Sequence, residues 1–316
     1  MATFSNLRVF VTGASGMIGA KLVERLVELG ADVYALTRSA NVPPRLIASA
    51  PSIHILSADF CNPPEMHRIL AEIDPEIVFH LASTPLHPPP KPETHFDVNV
   101  GGTYALLSAF SEKPPRVILT GSAAQYGSGE ELEESQPERP IGDFAMSKSA
   151  AATILRTYGR QYEVATTELR LFTPYGEGER AGRLIPSIVL DALEGREVRI
   201  GSGIQIRDYV HIDDVVDALL MASEIKTPGQ YCFNICSGER RTVRQVAEMI
   251  LTILNNSVEL KVGALPDRKD DIAAITGLNF RAEIDLGWRP KIAFASGLRN
   301  TVEWIVANAD FVRKLR

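Results

Sequence analysis

The chain has 316 residues, of which 45% are hydrophobic and 23% charged, and its formal net charge is −6. These fractions are those of an ordinary globular protein and exclude disordered, collagen-like and coiled-coil chains. The acidic balance argues against nucleic acid or an anionic membrane as the main partner. No apolar run is long enough to span a membrane and the first residues carry no secretory pattern, so a cytoplasmic protein is expected.

Short β-branched runs alternate with amphipathic helices in the first half of the chain. The predicted elements are, in order, a strand over Leu7–Thr12, a helix over Met17–Leu29, strands over Asp32–Thr37 and Ile53–Ser57, a helix over Glu65–Ile73, a strand over Glu76–Leu81, a helix over Thr94–Phe110, a strand over Val117–Thr120, a helix over Ala145–Tyr162 and a strand over Thr166–Phe172. This alternation is typical of a parallel sheet covered by helices on both faces. The expected fold is therefore a doubly wound α/β fold.

Beyond Phe172 the rhythm changes to separated helices and longer loops that contain Gly and Pro. This change predicts a first domain over 1–172 and a smaller α/β domain over 173–316. A stretch at about 204–226 is expected to return to the first domain. The acidic run Glu130–Glu134 is interpreted as a solvated loop.

Cysteine and histidine predict neither a disulfide nor a metal site. Cys232 and Cys236 lie on one predicted strand, four residues apart, which separates them by about 13 Å. Disulfide-bonded Cα atoms lie roughly 4.4–6.8 Å apart, so these two cannot bridge. Cys61 has no cysteine near it in the sequence, and no HxxxH or CxxC pair occurs.

Glycines join the first predicted strand to the first helix, in the segment Gly13-Ala14-Ser15-Gly16-Met17-Ile18-Gly19. Glycines at such a junction let the backbone turn sharply, approach a pyrophosphate and pack the helix on the sheet. The helix N-terminus then offers N–H groups to the phosphates. The segment predicts a bound dinucleotide, with contacts from Gly13, Ser15, Gly16, Met17, Ile18 and Gly19.

The end of the second strand bears on the choice between NAD and NADP. A carboxylate there would bind the ribose 2′-hydroxyl of NAD, whereas an arginine would hold the 2′-phosphate of NADP. The chain has Arg38 there and no acid, which favours NADP, with NAD and a solvated surface arginine as the alternative. Asp59 and Phe60, after the third strand, are placed to meet the adenine.

Further motifs follow in chain order: His80-Leu81-Ala82, Asn99-Val100-Gly101-Gly102-Thr103, Ser122–Gly127, Leu169–Phe172 and Arg207–Asp214. With the glycine segment, they resemble the extended branch of the short-chain dehydrogenase/reductase superfamily, the group of nucleotide-sugar epimerases, dehydratases and reductases. The resemblance covers most of the chain. It implies a Rossmann fold, a nicotinamide dinucleotide, a nucleotide-sugar substrate and a homodimer. It also implies cofactor contacts from Leu81, Ala82, Ser83, Asn99 and Thr120.

In that group a Ser or Thr, a Tyr and a Lys act together on the sugar oxygen and the nicotinamide. Ser122 and Lys148 match two of these positions, and Lys148 also implies a contact with the nicotinamide ribose. The tyrosine position, four residues before Lys148, holds Phe144, which has no ionisable group. Three interpretations stay open. The residue is a deliberate Tyr→Phe change, or the proton comes from Tyr126, Ser122, Thr84 or a water held by Lys148, or the protein binds its ligands without turnover.

Sugar 4,6-dehydratases of the group carry an Asp-Glu pair directly after the Ser or Thr. Ala123 and Ala124 occupy those positions here, so dehydration of that type is not expected. A 4-epimerase that retains NAD and a 4-keto reductase that consumes NADPH remain, and Arg38 favours the reductase.

The substrate end carries arginines that suit phosphate oxygens in geometry and charge. Arg207 and Arg268 match positions that hold the diphosphate of a nucleotide sugar, and Asp271 matches an acid that contacts the nucleoside ribose. The alternatives are an ion pair of Arg207 with Asp208 or Asp213, and a solvated turn for Arg268. The other predicted substrate contacts are Thr84, Ser122, Ala123, Tyr126, Thr173, which replaces a usual Asn, and Arg183.

Overall fold

The computed structural model describes residues 4–39, 41–85, 89–110, 114–255, 258–267 and 271–315. Its strands are β1 Arg8–Thr12, β2 Asp32–Thr37, β3 His54–Ser57, β4 Ile77–His80, β5 Arg116–Ser122, β6 Gly129–Leu132, β7 Ala165–Leu171, β8 Thr173–Tyr175, β9 Val198–Arg199, β10 Ile206–Arg207, β11 Tyr209–His211, β12 Gly229–Ile235, β13 Arg241–Thr242, β14 Leu260–Lys261 and β15 Ala274–Gly277. Its helices are α1 Met17–Glu28, α2 Pro63–Ile73, α3 Pro92–Phe96, α4 Gly102–Ser108, α5 Gly142–Gln161, α6 Leu184–Leu193, α7 Ile212–Ala222, α8 Val243–Ile253, α9 Phe280–Asp285, α10 Phe294–Ala307 and α11 Ala309–Lys314.

The main sheet of the described chain has seven strands in the order β12-β7-β5-β4-β1-β2-β3. Every neighbouring pair is parallel. Each residue of β4 and of β7 is buried, as expected for central strands with helices on both faces. One apolar cluster joins α1 and α7 to the sheet, and a second joins α2, α4 and α5 to it. The doubly wound α/β fold is confirmed.

The strand order places one crevice at the carboxyl edge of the sheet. After β1 the chain continues through β2 to β3 on one side, and β4 then returns to the other side of β1. Ligands of open α/β sheets bind outside the carboxyl ends of the strands at such a reversal. The glycine segment after β1 and the residues after β4 meet there, because Thr12 pairs with His80 in the sheet.

Two expected elements have a different form in the structure. The helix expected over Thr94–Phe110 is α3, a π-turn over Asp97–Gly101 and then α4. Hydrophobic spacing does not distinguish a single wider turn from α-helix, and such turns occur often at functional sites. The prediction of a solvated loop at Glu130–Glu134 is wrong in part, because β6 pairs with β15 and buries Leu132.

Part of the chain beyond residue 172 belongs with the main sheet. The edge strand β12 pairs with β7 from Gly229 to Ile235, and α7 packs its apolar face in the same cluster as α1. This stretch extends past the expected return at about 204–226. A third apolar cluster lies between α6, α8 and α10, and a smaller fourth one contains Tyr126, Leu132 and Ile275. The limits of the two domains themselves stay a prediction.

All three cysteines are free. Cys232 lies on β12 as predicted, whereas Cys236 follows directly after the end of that strand. Among the described residues, no helix combines the length and the apolar character that crossing a membrane requires.

Candidate active site

The glycine segment between β1 and α1 is shaped by close backbone contacts. Gly13 has a φ of +68°, and a Cβ there would lie 2.6 Å from the Ala82 nitrogen. A Cβ on Gly19 would lie 2.2 Å from the Gly13 oxygen, whereas one on exposed Gly16 would meet only that oxygen, at 3.2 Å. Helix α1 begins at Met17 without a side-chain cap. The open surface at Gly16 and the uncapped helix N-terminus fit a dinucleotide pyrophosphate.

His80, the last residue of β4, links that strand by a hydrogen bond to Thr12, directly before the glycine segment. Thr12 Oγ1 lies 2.7 Å from His80 Nδ1 and accepts from the Ala82 N–H. On the other side, His80 Nε2 lies 2.9 Å from Thr103 Oγ1, whose hydrogen goes to the Asn99 carbonyl. Nε2 therefore carries the proton and Nδ1 accepts from Thr12. Complete burial, with a smaller contribution from the Lys148 charge, lowers the pKa of His80 to about 3, which keeps the ring neutral.

Lys148 binds the backbone of β5 at Thr120, two residues before Ser122 at the carboxyl end of that strand. Lys148, on α5, is 5% exposed and its Nζ donates to the Thr120 carbonyl at 2.5 Å. Burial lowers the pKa of Lys148 to about 8, against the opposing effect of the Glu168 carboxylate. Ser122 Oγ accepts from the Ala124 N–H and caps a short 3-10 turn. The Ser122 hydroxyl hydrogen remains available to a ligand.

Phe144 lies on the first turn of α5, next to a network of hydrogen bonds that links Thr84, Asn99 and Ser147. Thr84 N–H donates to Asn99 Oδ1, and Asn99 Nδ2 donates to Thr84 Oγ1 and to Ser147 Oγ. Ser147 in turn donates to the Phe144 carbonyl at 2.8 Å. His95 meets the Phe144 ring edge-to-face, with 5.8 Å between ring centroids. The structure thus joins Thr84 and Asn99 to the turn that bears Phe144 and Lys148.

The Tyr126 hydroxyl has a different partner. It donates to Asn234 Oδ1 at 2.7 Å, and the residue is 3% exposed. The Arg170 guanidinium lies over the Tyr126 ring, 4.6 Å from its centroid. Burial raises the pKa of Tyr126 well above its ordinary value. This buried, paired hydroxyl is a poor source of a proton for the site.

The residues expected near the adenosine end occupy both surface and core. Arg38 is exposed directly after β2, and Asp59 is exposed with Oδ1 accepting from the Cys61 N–H. Phe60 instead packs in the core, edge-on to His80 with 5.9 Å between centroids. A Cβ on Gly102 would lie 2.1 Å from the Phe60 ring. Leu81 and Ala82 are half-buried after β4, and Ser83 is exposed.

Two predicted substrate contacts bind each other. Arg207 Nη2 lies 2.7 Å from Asp271 Oδ1, and Nη1 donates to the Ile272 carbonyl. The alternative ion-pair partners are engaged elsewhere, since Asp208 accepts from Ser237 and Gly238 while Asp213 pairs with Lys21.

The other predicted substrate contacts are spread along the chain from Ala123 onward. Arg183 pairs with Glu179 at 3.0 Å, and the Thr173 N–H donates to the Asp208 carbonyl. Ala123 is buried at the start of the 3-10 turn. Arg268 lies outside the described residues.

Arg45 is a cation near the glycine segment that motif reasoning missed. Its Nη1 donates to the Ser15 carbonyl and its Nε donates to the Gly178 carbonyl. Burial and the Arg180 charge lower its pKa to about 10. Its position in the sequence, in a proline-containing stretch far from any glycine motif, carries no signal of this contact.

A glycine-lined helix N-terminus and a serine–lysine pair at the carboxyl edge of a parallel sheet define a dinucleotide-dependent oxidoreductase. The model of the NAD dependent epimerase/dehydratase family matches residues 9–236, and the chain belongs to this family.

Individual relatives extend the match over nearly the whole chain. A UDP-glucose 4-epimerase of Mycolicibacterium smegmatis is 32% identical, with 94% of this chain and 98% of that protein covered. A dTDP-glucose 4,6-dehydratase of Neisseria gonorrhoeae is 27% identical, with 98% of each covered. Among solved structures, MoeE5 in complex with UDP-glucose and NAD is 28% identical, with a TM-score of 0.87 over 95% of this chain and 99% of that one.

Proposed function

We propose that the protein is an NAD(P)-dependent oxidoreductase of nucleotide-activated sugars, and that its net reaction is reduction of a 4-keto group on the sugar ring. The observation that carries the proposal is that Lys148 binds the Thr120 carbonyl on β5, two residues before Ser122, at the same carboxyl edge of the parallel sheet as the glycine segment. A protein that only binds its ligands has no chemical need for both groups.

The chain's own residues supply orientation and charge. When bound, the dinucleotide supplies or accepts the hydride at the reacting carbon. Ser122 donates its hydroxyl hydrogen to the reacting oxygen, and the Lys148 ammonium, held by the Thr120 carbonyl, stabilises negative charge that develops there. Phe144 supplies ring packing but no proton.

Reduction fits these residues better than dehydration. Ala123 and Ala124 are buried in the 3-10 turn after Ser122, and their methyl side chains cannot add or remove a proton. This holds although several relatives, including the one from Neisseria gonorrhoeae, are named 4,6-dehydratases. Exposed Arg38 with no acid at the end of β2 favours NADP over the NAD bound by a solved neighbour.

A 4-epimerase is the second candidate, because the relative that is 32% identical is named a UDP-glucose 4-epimerase. Both reactions move hydride at the same carbon. They differ in stoichiometry, since an epimerase regenerates its cofactor in each turnover.

The test follows NADPH oxidation with a panel of dTDP- and UDP-linked 4-keto sugars, for the native chain and for Phe144→Tyr. Tyrosine restores a hydroxyl at the family position, and we expect the rate to rise with it or to be present already in the native chain. Conversion of UDP-glucose to UDP-galactose without net NADPH use would establish the epimerase instead. Tight cofactor binding with no turnover by either chain would contradict both.

Two broader proposals concern the molecule's surroundings. The three free thiols suit a reducing compartment such as the cytoplasm. A homodimer through α4 and α5 is supported by apolar side chains exposed there.

A further inference from the structure

His95 lies beside Phe144, the position at which the candidate site lacks a proton donor. It is 3% exposed on α3, and the edge-to-face contact of its ring with Phe144 places it beside the position where the family has a tyrosine. Its Nδ1 lies 2.6 Å from Thr84 Oγ1. A titratable ring is therefore hydrogen-bonded to a hydroxyl that is itself joined to the first turn of α5.

The surrounding hydrogen bonds decide which way the Thr84 hydrogen can point. Asn99 Oδ1 accepts from the Thr84 N–H, so Asn99 Nδ2 faces Thr84 Oγ1 and donates to it. When His95 Nδ1 carries a proton, it donates to the same oxygen. Thr84 Oγ1 then accepts two hydrogen bonds, which uses both lone pairs of a hydroxyl. Its own hydrogen has to be donated to a third group.

We propose that Thr84 and His95 form a proton relay that takes the place of the missing tyrosine hydroxyl; this rests on the proposed function. In reduction, the Thr84 O–H bond breaks and its proton bonds to the sugar oxygen as the carbonyl carbon gains hydride. Thr84 takes the Nδ1 proton of the imidazolium of His95, which becomes neutral and regains a proton from solvent. In the oxidative direction each step reverses, with neutral His95 as the base.

Other hydroxyls near the site do not offer this arrangement. The Tyr126 hydroxyl donates to buried Asn234. Ser122 Oγ accepts from a backbone N–H, and no titratable side chain among the described residues is hydrogen-bonded behind it. Of these three hydroxyls, Thr84 is the one that is hydrogen-bonded to a titratable imidazole, that of His95.

The charges around His95 set the expected pH dependence. On α3, the π-turn and α5, which pack about it, the charged side chains of the described residues are Glu93, Asp97, Asp143, Lys148, Arg156 and Arg160. Burial lowers the pKa of His95 below 6.5, and Asp143 on α5 opposes this shift. Reduction needs the imidazolium, so kcat falls as pH rises above that pKa. In Phe144→Tyr this decline moves to higher pH, since tyrosine has an ordinary pKa of about 10.

The experiment compares the native chain, His95→Gln, Phe144→Tyr and the double variant, with NADPH and the dTDP- and UDP-linked 4-keto sugars. General acid catalysis contributes about 10²–10⁴-fold, so His95→Gln should lower kcat about 10²-fold or more with little change in KM. The double variant should regain the rate of Phe144→Tyr, because its tyrosine supplies the proton directly.

A second readout needs no turnover. Imidazole ¹⁵N resonances of the six histidines are followed against pH in the native chain and in Thr84→Val. We expect Thr84→Val to shift the Nδ1 resonance and the pKa of one histidine, identified by its absence in His95→Gln.

Three results would overturn the relay. If the double variant is as slow as His95→Gln, the histidine acts only through the fold. If His95→Gln matches the native chain while both turn over, the proton comes from elsewhere, and the proposed function stands. If all four chains are inactive on every sugar of the panel, the proposed function fails and the relay fails with it.

Discussion

A tyrosine at position 144 would both pack its ring in the site and supply a proton, whereas Phe144 can only pack. The ring still packs against His95, with 5.8 Å between centroids, so the shape of the site is kept. Lys148 remains 5% exposed with a pKa lowered to about 8 by burial. Under the proposed function, the chain therefore retains the groups that orient the substrate and stabilise charge, and only the proton source differs.

Cofactor preference depends on another single residue. Arg38 is exposed after β2, at the predicted 2′-phosphate position. Hydrogen bonds to charged groups are worth about 1.5–3 kcal/mol, so Arg38→Ala should weaken NADPH binding at least tenfold and leave NADH binding nearly unchanged. Fluorescence titration of both cofactors measures this.

The control for Arg38 is Arg68→Ala, an exposed arginine on α2, which should affect neither cofactor. Equal weakening of NADPH and NADH by Arg38→Ala, or no weakening of either, would contradict a 2′-phosphate contact and leave NAD as the cofactor.

The elements around the site are joined by His80, and this connection should make stability depend on pH. The native state holds the ring neutral with a pKa of about 3, against an ordinary value of 6.5. Between these values the unfolded chain binds more protons than the folded one. The stability that neutral His80 contributes is therefore present above pH 6.5 and is lost as the pH falls towards 3.

The measurement is urea unfolding of the native chain and of His80→Gln at pH 7, 6 and 5. The native chain should be the more stable at pH 7, and its advantage should shrink below pH 6.5 by up to about 1.4 kcal/mol per pH unit. Other groups also titrate in this range, notably Asp208, whose pKa burial raises to about 6, but they are common to both chains. Parallel pH profiles would contradict the assignment.

The sequence predicts elements better than the contacts between them. Apolar spacing and the glycine segment identify α1 and its flanking strands within a residue or two of their observed ends. The π-turn at Asp97–Gly101 is not predictable in this way, because spacing does not show which carbonyl an N–H selects. The proposed relay depends on that turn, because the turn holds Asn99 against Thr84, and the Asn99 amide fixes the direction of the Thr84 hydroxyl hydrogen.

For the whole molecule, contacts between distant segments set the limit of prediction. The Tyr126 hydroxyl meets Asn234, 108 positions away, and β12 completes the main sheet after a long excursion through the second half of the chain. The prediction that Tyr126 contacts the substrate did not include this partner, because motif matching considers each segment alone. The pairing of Arg207 with Asp271 is likewise visible only once β10 and the segment after residue 270 are folded together.

Two exposed apolar side chains on neighbouring helices bear on the oligomeric state of the molecule. Tyr104 on α4 is 62% exposed and Met146 on α5 is 41% exposed, and these two helices pack side by side. In the homodimer proposed above, these exposed side chains would lie in the interface. A homodimer through α4 and α5 would bury both, whereas a charge at Tyr104 would have to be desolvated there. Sedimentation velocity should therefore show a dimer for the native chain and a monomer for Tyr104→Glu. Ile284→Glu, which alters an 80% exposed residue on α9, should stay dimeric. A monomeric native chain, or a dimer that survives Tyr104→Glu, would contradict this interface.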